Sequence, residues 1–301
     1  MTSIGLPGVK VHYVDDAATV ASGVRKKDSV NWSQSLLGIP QLWRQEQGQG
    51  VKVAVLDTGC DMDHPDLKTA IVAHRDFTGD GIEDKNGHGT HCAGIIGARM
   101  NQYGFVGVAP KCELVIGKVL GNNGSGAYSW IRDSIRWAVD EGCRIISMSL
   151  GGPVHDDGLF RVIHEALAEG ACIIVAAGNE GSIFRNSIGY PGRYGSVITV
   201  ASHDRNGNRS GFSSRGGEID FMAPGSDIWS TYKDGGYASL SGTSMATPFV
   251  SGLSALIMGT TTINTCEDLR NELMEMSTHP GYHDNVRGYG PLQPFGYFQD
   301  Y

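Results

Sequence analysis

Between residues 51 and 201 the chain repeats one pattern: a short, largely apolar run, a glycine-rich turn, and a segment with the spacing of an amphipathic helix. The runs are 51–56, 114–120, 144–150, 172–177 and 197–201, and the helical segments are 90–99, 129–139 and 159–169. A strand that is apolar throughout must be covered on both faces. The pattern therefore predicts an α/β fold with a mostly parallel central sheet and helices on either side. In open sheets of this kind ligands sit beyond the carboxyl ends of the strands. The turns 121–126, Gly151-Gly152 and 178–181 follow the strands and would gather at that edge. They match neither a P-loop nor a G-x-G-x-x-G after the first strand, so nucleotide binding is set aside. At 301 residues and 40% hydrophobic, the chain can bury a large core.

Three stretches carry polar residues that the fold alone does not require. Residues 240–248 crowd small side chains around Ser244 just before an apolar run, which places this serine on the first turn of a helix. Backbone N–H groups lie unpaired at such a position, a favourable setting for a nucleophile whose attack creates an oxyanion. An ordinary N-cap serine fits the same stretch equally well. Asp57 ends the first apolar run, at the edge where ligands bind, although aspartate also starts turns. His88 stands between Gly87 and Gly89 at the start of a small-residue helix, and these glycines would leave room for substrate beside a general base. His91, one turn later, reads as a core histidine bonded to backbone.

The order Asp, His, Ser is one of three chain orders known for the same catalytic triad. Asp57-Thr58-Gly59, the stretch from His88 to Gly94, and the stretch from Gly242 to Pro248 resemble the three signature motifs of the subtilisin family of serine peptidases. The stretch from Ala176 to Gly181 resembles that family's oxyanion segment, and Ser149-Leu150-Gly151-Gly152 its substrate-pairing segment. Within the family the chain is most similar to the bacterial intracellular branch, and the similarity runs from about Asp28 to Leu292. The resemblance implies a three-layer fold and an endopeptidase acting on polypeptides. Ser244 would be the nucleophile, His88 the base, Asp57 its orienting carboxylate and Asn179 the oxyanion donor. An extended substrate would pair with Gly124, Ser125 and Gly126 on one side and Ser149, Leu150 and Gly151 on the other. Ala176, Gly178 and Gly189 would line a first pocket suited to a large apolar or aromatic side chain, with broad specificity elsewhere. Phe249 and Gln293 depart from the family pattern, which normally has histidine and asparagine there.

The resemblance also implies a structural Ca2+, with side-chain oxygens from Asp28, Asp66 and Asn101 and carbonyl oxygens from Arg99, Tyr103 and Phe105. Residues 1–27 form an arm distinct from the peptidase domain, 28–301, and its Leu6-Pro7 resembles a segment that blocks the cleft in intracellular relatives. Such an arm would be an inhibitory propeptide, released by cleavage near Arg25-Lys26-Lys27. A net charge of −8, with no basic run interleaved with aromatics, argues against nucleic acid as partner. No apolar stretch is long enough for a membrane span. The start of the chain lacks a basic region leading into an apolar one, so a cytoplasmic location is expected, with secretion from a longer precursor left open. Six scattered cysteines read as reduced, mostly buried thiols. Self-association as a homodimer is left open by the sequence. A catalytically inactive scaffold is the competing class. An α/β-hydrolase would need G-x-S-x-G and the order Ser, Asp, His, and the chain has neither.

Overall fold

The computed structural model describes residues 9–10, 19–21, 27–181 and 186–297. In chain order the elements are β1 (Val9–Lys10), β2 (Thr19–Ala21), α1 (Trp32–Leu36), α2 (Ile39–Leu42), β3 (Lys52–Asp57), β4 (Ile71–Asp76), α3 (His88–Gly97), β5 (Glu113–Lys118) and β6 (Ser125–Gly126). They continue with α4 (Tyr128–Asp140), β7 (Ile145–Met148), α5 (Asp157–Ala168), β8 (Cys172–Ala176), β9 (Ile198–His203), β10 (Phe221–Pro224), β11 (Ile228–Tyr232) and β12 (Gly236–Leu240). The last three are α6 (Thr243–Thr260), α7 (Cys266–Glu275) and α8 (Pro294–Tyr297).

Seven strands form one sheet in the order β10-β9-β8-β7-β3-β5-β4, and every neighbouring pair is parallel. Alternation along each strand divides the apolar residues between two cores. Val53, Val55, Leu114, Ile116 and Ile174 face one, with α3 and α6. Ala54, Leu56, Val115, Ile173 and Val175 face the other, with α4 and α5. Both faces of the sheet are thus covered, as strands without polar alternation require. β3 lies at the switch point, because the chain moves from it to β4 and β5 on one side and later to β7 on the other. Asp57, its last residue, therefore opens into the crevice where neighbouring connections diverge.

Helix α6 is apolar on nearly all sides and is buried from Thr243 to Ile257, which makes it the axis of its layer. Residues 32–42, whose apolar side chains have helical spacing, form two short helices, because Gly38 adopts φ +69° between them. Asn31 caps the first reciprocally with Gln34. Strands β4 and β10–β12 carry no strong pattern in the sequence. β4 is a half-exposed edge, and the antiparallel ribbon of β11 and β12 is built from polar and aromatic residues. All six cysteines are free and buried. Among the described residues no helix is long and apolar enough to cross a membrane.

Candidate active site

A single buried carboxylate organises the loop that delivers His88. Asp84 Oδ1 accepts from Thr58 Oγ1 (2.9 Å) and from the N–H groups of Asn86 (3.1 Å) and Gly87 (2.8 Å). Its Oδ2 accepts from the N–H and hydroxyl of Thr90 (2.8 and 2.7 Å). Thr58 follows Asp57 directly, and its hydroxyl oxygen also accepts from Gly89 N–H at 2.8 Å. The strand end and the helix start are thereby locked together, and His88 Nδ1 donates to Asp57 Oδ1 at 2.7 Å. Both side chains are buried. Burial is the largest single influence and would lower the imidazole pKa, but the Asp57 carboxylate, with Cys92 and the hydrogen bonds to both, more than offsets it and holds His88 well above its ordinary range.

The glycines around His88 do something other than make room for substrate. Gly87 has φ +104°, and a Cβ there would fall 2.4 Å from the Tyr232 ring. A Cβ on Gly89 would lie 2.2 Å from the carbonyl oxygen of Gly59. The pair is needed for backbone conformation and for close approach to the Asp57 turn.

Ser244 is the second residue of α6. Pro248 lies four positions on and has no N–H, so the Ser244 carbonyl loses its helical partner. Ser149 Oγ (2.9 Å) and Cys92 Sγ (3.4 Å) donate to it instead. This proline thereby ties the serine to the 149–151 segment and to α3. Cys92 Sγ is also 3.9 Å from His88 Nδ1, and burial raises its pKa, which keeps it a thiol. Asn179 Oδ1 accepts from Thr243 N–H (2.9 Å) and Thr243 Oγ1 (3.0 Å). That fixes the amide orientation and leaves its nitrogen as the group facing Gly242, where a Cβ would stand 3.4 Å away.

Beside Ser244 opens a pocket of about 450 Å3 that includes Ser149, Leu150, Gly151, Ala176, Gly178 and Gly189. Sequence reasoning missed two charged side chains on its wall, Glu180 and Arg193. Ser125 and Gly126 form β6, and β1 pairs with it antiparallel, Val9 opposite Gly126 and Lys10 opposite Ser125. Leu6, Pro7, Arg25 and Lys26 lie outside the described residues.

His91 is buried, with Nε2 at 3.0 Å from Ile228 O and 3.1 Å from Ala238 O, so it must donate there. Desolvation brings its pKa down to about 3 and keeps it neutral. Elsewhere, Asp28, Asp66 and Asn101 come together. Asp28 Oδ1 accepts from the N–H groups of Asn101 (3.2 Å) and Tyr103 (3.0 Å), and Asn101 Nδ2 donates to Asp66 Oδ1 at 3.0 Å. Asp84, Thr58 and Thr243 were not anticipated as supports. Only Asp84 had a visible signal, an aspartate followed by Asn86-Gly87, which suits a carboxylate-stabilised turn.

Comparison with known proteins identifies the family. Residues 48–297 match the model of the Subtilase family. An intracellular serine protease of Paenibacillus polymyxa is 49% identical over 230 residues, covering 74% of this chain and 71% of the relative. Thermitase of Thermoactinomyces vulgaris is 45% identical over 221 residues (72% and 78%). The major intracellular serine protease of Bacillus subtilis is 46% identical over 228 residues (72% of each). The order and placement of Asp57, His88 and Ser244 on a seven-stranded parallel sheet, together with these matches, make the chain a member of the subtilase family of serine peptidases.

Proposed function

We propose that the chain is a serine endopeptidase of broad specificity in which Asp57, His88, Ser244 and Asn179 perform the chemistry. The observation that carries this is the buried 2.7 Å contact between His88 Nδ1 and Asp57 Oδ1, locked beside the start of α6. With Nδ1–H committed to Asp57, Nε2 is the nitrogen available as base. Ser244 Oγ attacks the scissile carbonyl as Nε2 takes its proton, and the same proton passes to the leaving amine. Asp57 steadies the imidazolium. The developing oxyanion is met by the Asn179 amide and the Ser244 backbone N–H. Water then enters in place of the amine and releases the acyl group by the same route.

Substrate pairs by its main chain with 124–126 and 149–151, which reads no sequence, while the pocket at Ala176, Gly178 and Gly189 favours a large apolar or aromatic side chain. A non-catalytic scaffold is disfavoured, because all four reacting side chains are present and each is held by a hydrogen bond. Two relatives are named intracellular, and six buried free thiols suit a reducing compartment, so we place the protein in the cytoplasm.

A structural Ca2+ belongs to this reading. The carboxylates of Asp28 and Asp66 lie beside the carboxamide of Asn101, which here turns its nitrogen to Asp66 and would have to turn its oxygen inward to bind an ion, and among the described residues no backbone N–H donates to the carbonyls of Arg99, Tyr103 or Phe105. Such a set of hard oxygens fits calcium, which would hold the 99–105 loop against the domain's first residues. The arm, residues 1–27, is proposed to inhibit by taking the substrate's place on β6.

Digestion of unfolded casein tests the central reading. The wild type cleaves it and is labelled at Ser244 by an aromatic peptidyl phosphonate. Ser244→Ala does neither while keeping its thermal midpoint. Casein cleavage by Ser244→Ala at the wild-type rate would remove this serine from the mechanism.

A further inference from the structure

Lys118, the last residue of β5, has no exposed surface. A buried ammonium is costly unless its donors are used, and here three acceptors meet it. They are Thr58 O (2.6 Å), Glu83 O (3.1 Å) and Asn122 Oδ1 (3.0 Å). Each belongs to a different part of the site. Thr58 follows Asp57, and Lys118 itself lies opposite Asp57 in the sheet register. Glu83 opens the loop that delivers His88. Asn122 begins the turn into β6, the edge to which substrate would add.

The turn is joined to His88 by a second route as well. Asn86 Nδ2 donates to Asn122 O at 3.2 Å, and Asn86 Oδ1 accepts from His88 N–H at 3.3 Å. Lys118 therefore sits where the reacting side chains and the substrate-pairing edge are fastened to each other. We infer that Lys118 is a positioning residue that sets the register between Asp57–His88 and the 124–126 edge, with Asn122 as the arm reaching the edge. A substrate bound along β6 would present its scissile bond correctly only while this fastening holds.

The inference rests on the proposed roles of Asp57, His88, Ser244 and the 124–126 edge. Two substrates with the same aromatic first-pocket residue separate the effects. One is a blocked single-residue ester, which does not reach β6, and the other a tetrapeptide anilide, which does. Lys118→Met keeps length and removes the donors, and Asn122→Ala removes one of the three contacts. Active sites are counted with a peptidyl phosphonate, so each rate is per competent enzyme.

Lys118→Met is expected to lower kcat for the ester and to lower the tetrapeptide-to-ester ratio of kcat/KM by about tenfold. Asn122→Ala is expected to lower that ratio by about threefold or more, with the change in KM of the tetrapeptide. A merely structural role would reduce both substrates in proportion to the titrated sites and leave the ratio unchanged, which would overturn the inference. Should Lys118→Met not accumulate in folded form, the ratio in Asn122→Ala decides alone. A wild type that cleaves neither substrate sinks the underlying functional reading, whereas an active wild type with unchanged ratios in the variants sinks only this one.

Discussion

His88 is the residue whose chemistry the surroundings control most tightly. Burial pushes its imidazole toward the neutral form, and the Asp57 carboxylate at 2.7 Å, together with Cys92 and the hydrogen bonds to both, more than offsets it. In the proposed mechanism the base must be neutral to accept the Ser244 proton, so activity should rise as pH passes upward through the His88 pKa. The acid limb of kcat/KM is therefore expected above the ordinary histidine value of about 6.5. Asp57→Asn removes the raising charge and the carboxylate that holds the tautomer. It should move the acid limb to lower pH and reduce kcat by a factor on the order of 10⁴, read from a pH–rate profile on a chromogenic peptide. A profile unchanged in position would mean that another group titrates in the limb.

At the scale of elements, the packing of α3 against β11 and β12 depends on a histidine to which the proposed mechanism gives no part. His91 Nε2 lies within 3.1 Å of carbonyls on both strands. Its pKa of about 3 lies below the unfolded value, so between those two pH values the unfolded chain binds the extra proton. Stability contributed by the neutral ring is therefore present above pH ~6.5 and is lost as pH falls toward about 3. His91→Ala leaves the two carbonyls without their donor and should cost about 2–3 kcal/mol in urea unfolding, with catalysis persisting per folded molecule. His91→Gln, which donates but does not titrate, should flatten the pH dependence in that window. If His91→Ala instead destroyed catalysis and His88→Ala spared it, the two histidines would have exchanged roles. Elements of this layer also show what a sequence can convey. The buried strands β3, β5, β7, β8 and β9 are legible because residues apolar on both faces have no alternative to burial. The β11–β12 ribbon is not, because Ser230, Thr231 and Ser239 look like loop residues until hydrogen bonds pair them. Likewise Asp57, His88 and Ser244 are legible through their motifs. Of their supports only Asp84 leaves a local trace, whereas Thr58, Thr243 and Lys118 act across separations that no local pattern records.

At the scale of the whole molecule, the proposed arm, the proposed calcium donors and the proposed substrate edge form one problem. If calcium joins Asp28, Asp66 and Asn101, chelation should lower the thermal midpoint by several degrees, and Asp66→Asn should abolish that sensitivity. A midpoint indifferent to chelator would count against the ion. The arm reaches the domain at two places. β1 pairs with β6, and β2 adds to β12 with Thr19 opposite Ser239 and Ala21 opposite Tyr237. The first pairing uses the backbone of Ser125 and Gly126, which is the backbone a substrate strand would need. A tethered competitor acts at an effective concentration on the order of millimolar, well above that of a typical peptide substrate in assay. The unmodified chain should therefore start slowly and accelerate as the arm is cut near Arg25-Lys26-Lys27. Replacing Val9 and Lys10 together with proline removes both N–H groups and prevents the β1 pairing without touching the domain. That variant, and a chain beginning at Asp28, should show no lag and a higher initial rate on the tetrapeptide than the unmodified chain. A synthetic arm peptide added to the shortened enzyme should inhibit competitively, but only at concentrations far above those of the tethered form. Equal initial rates for all three enzymes would mean that the β1–β6 pairing does not compete with substrate, and the arm would lose its inhibitory role.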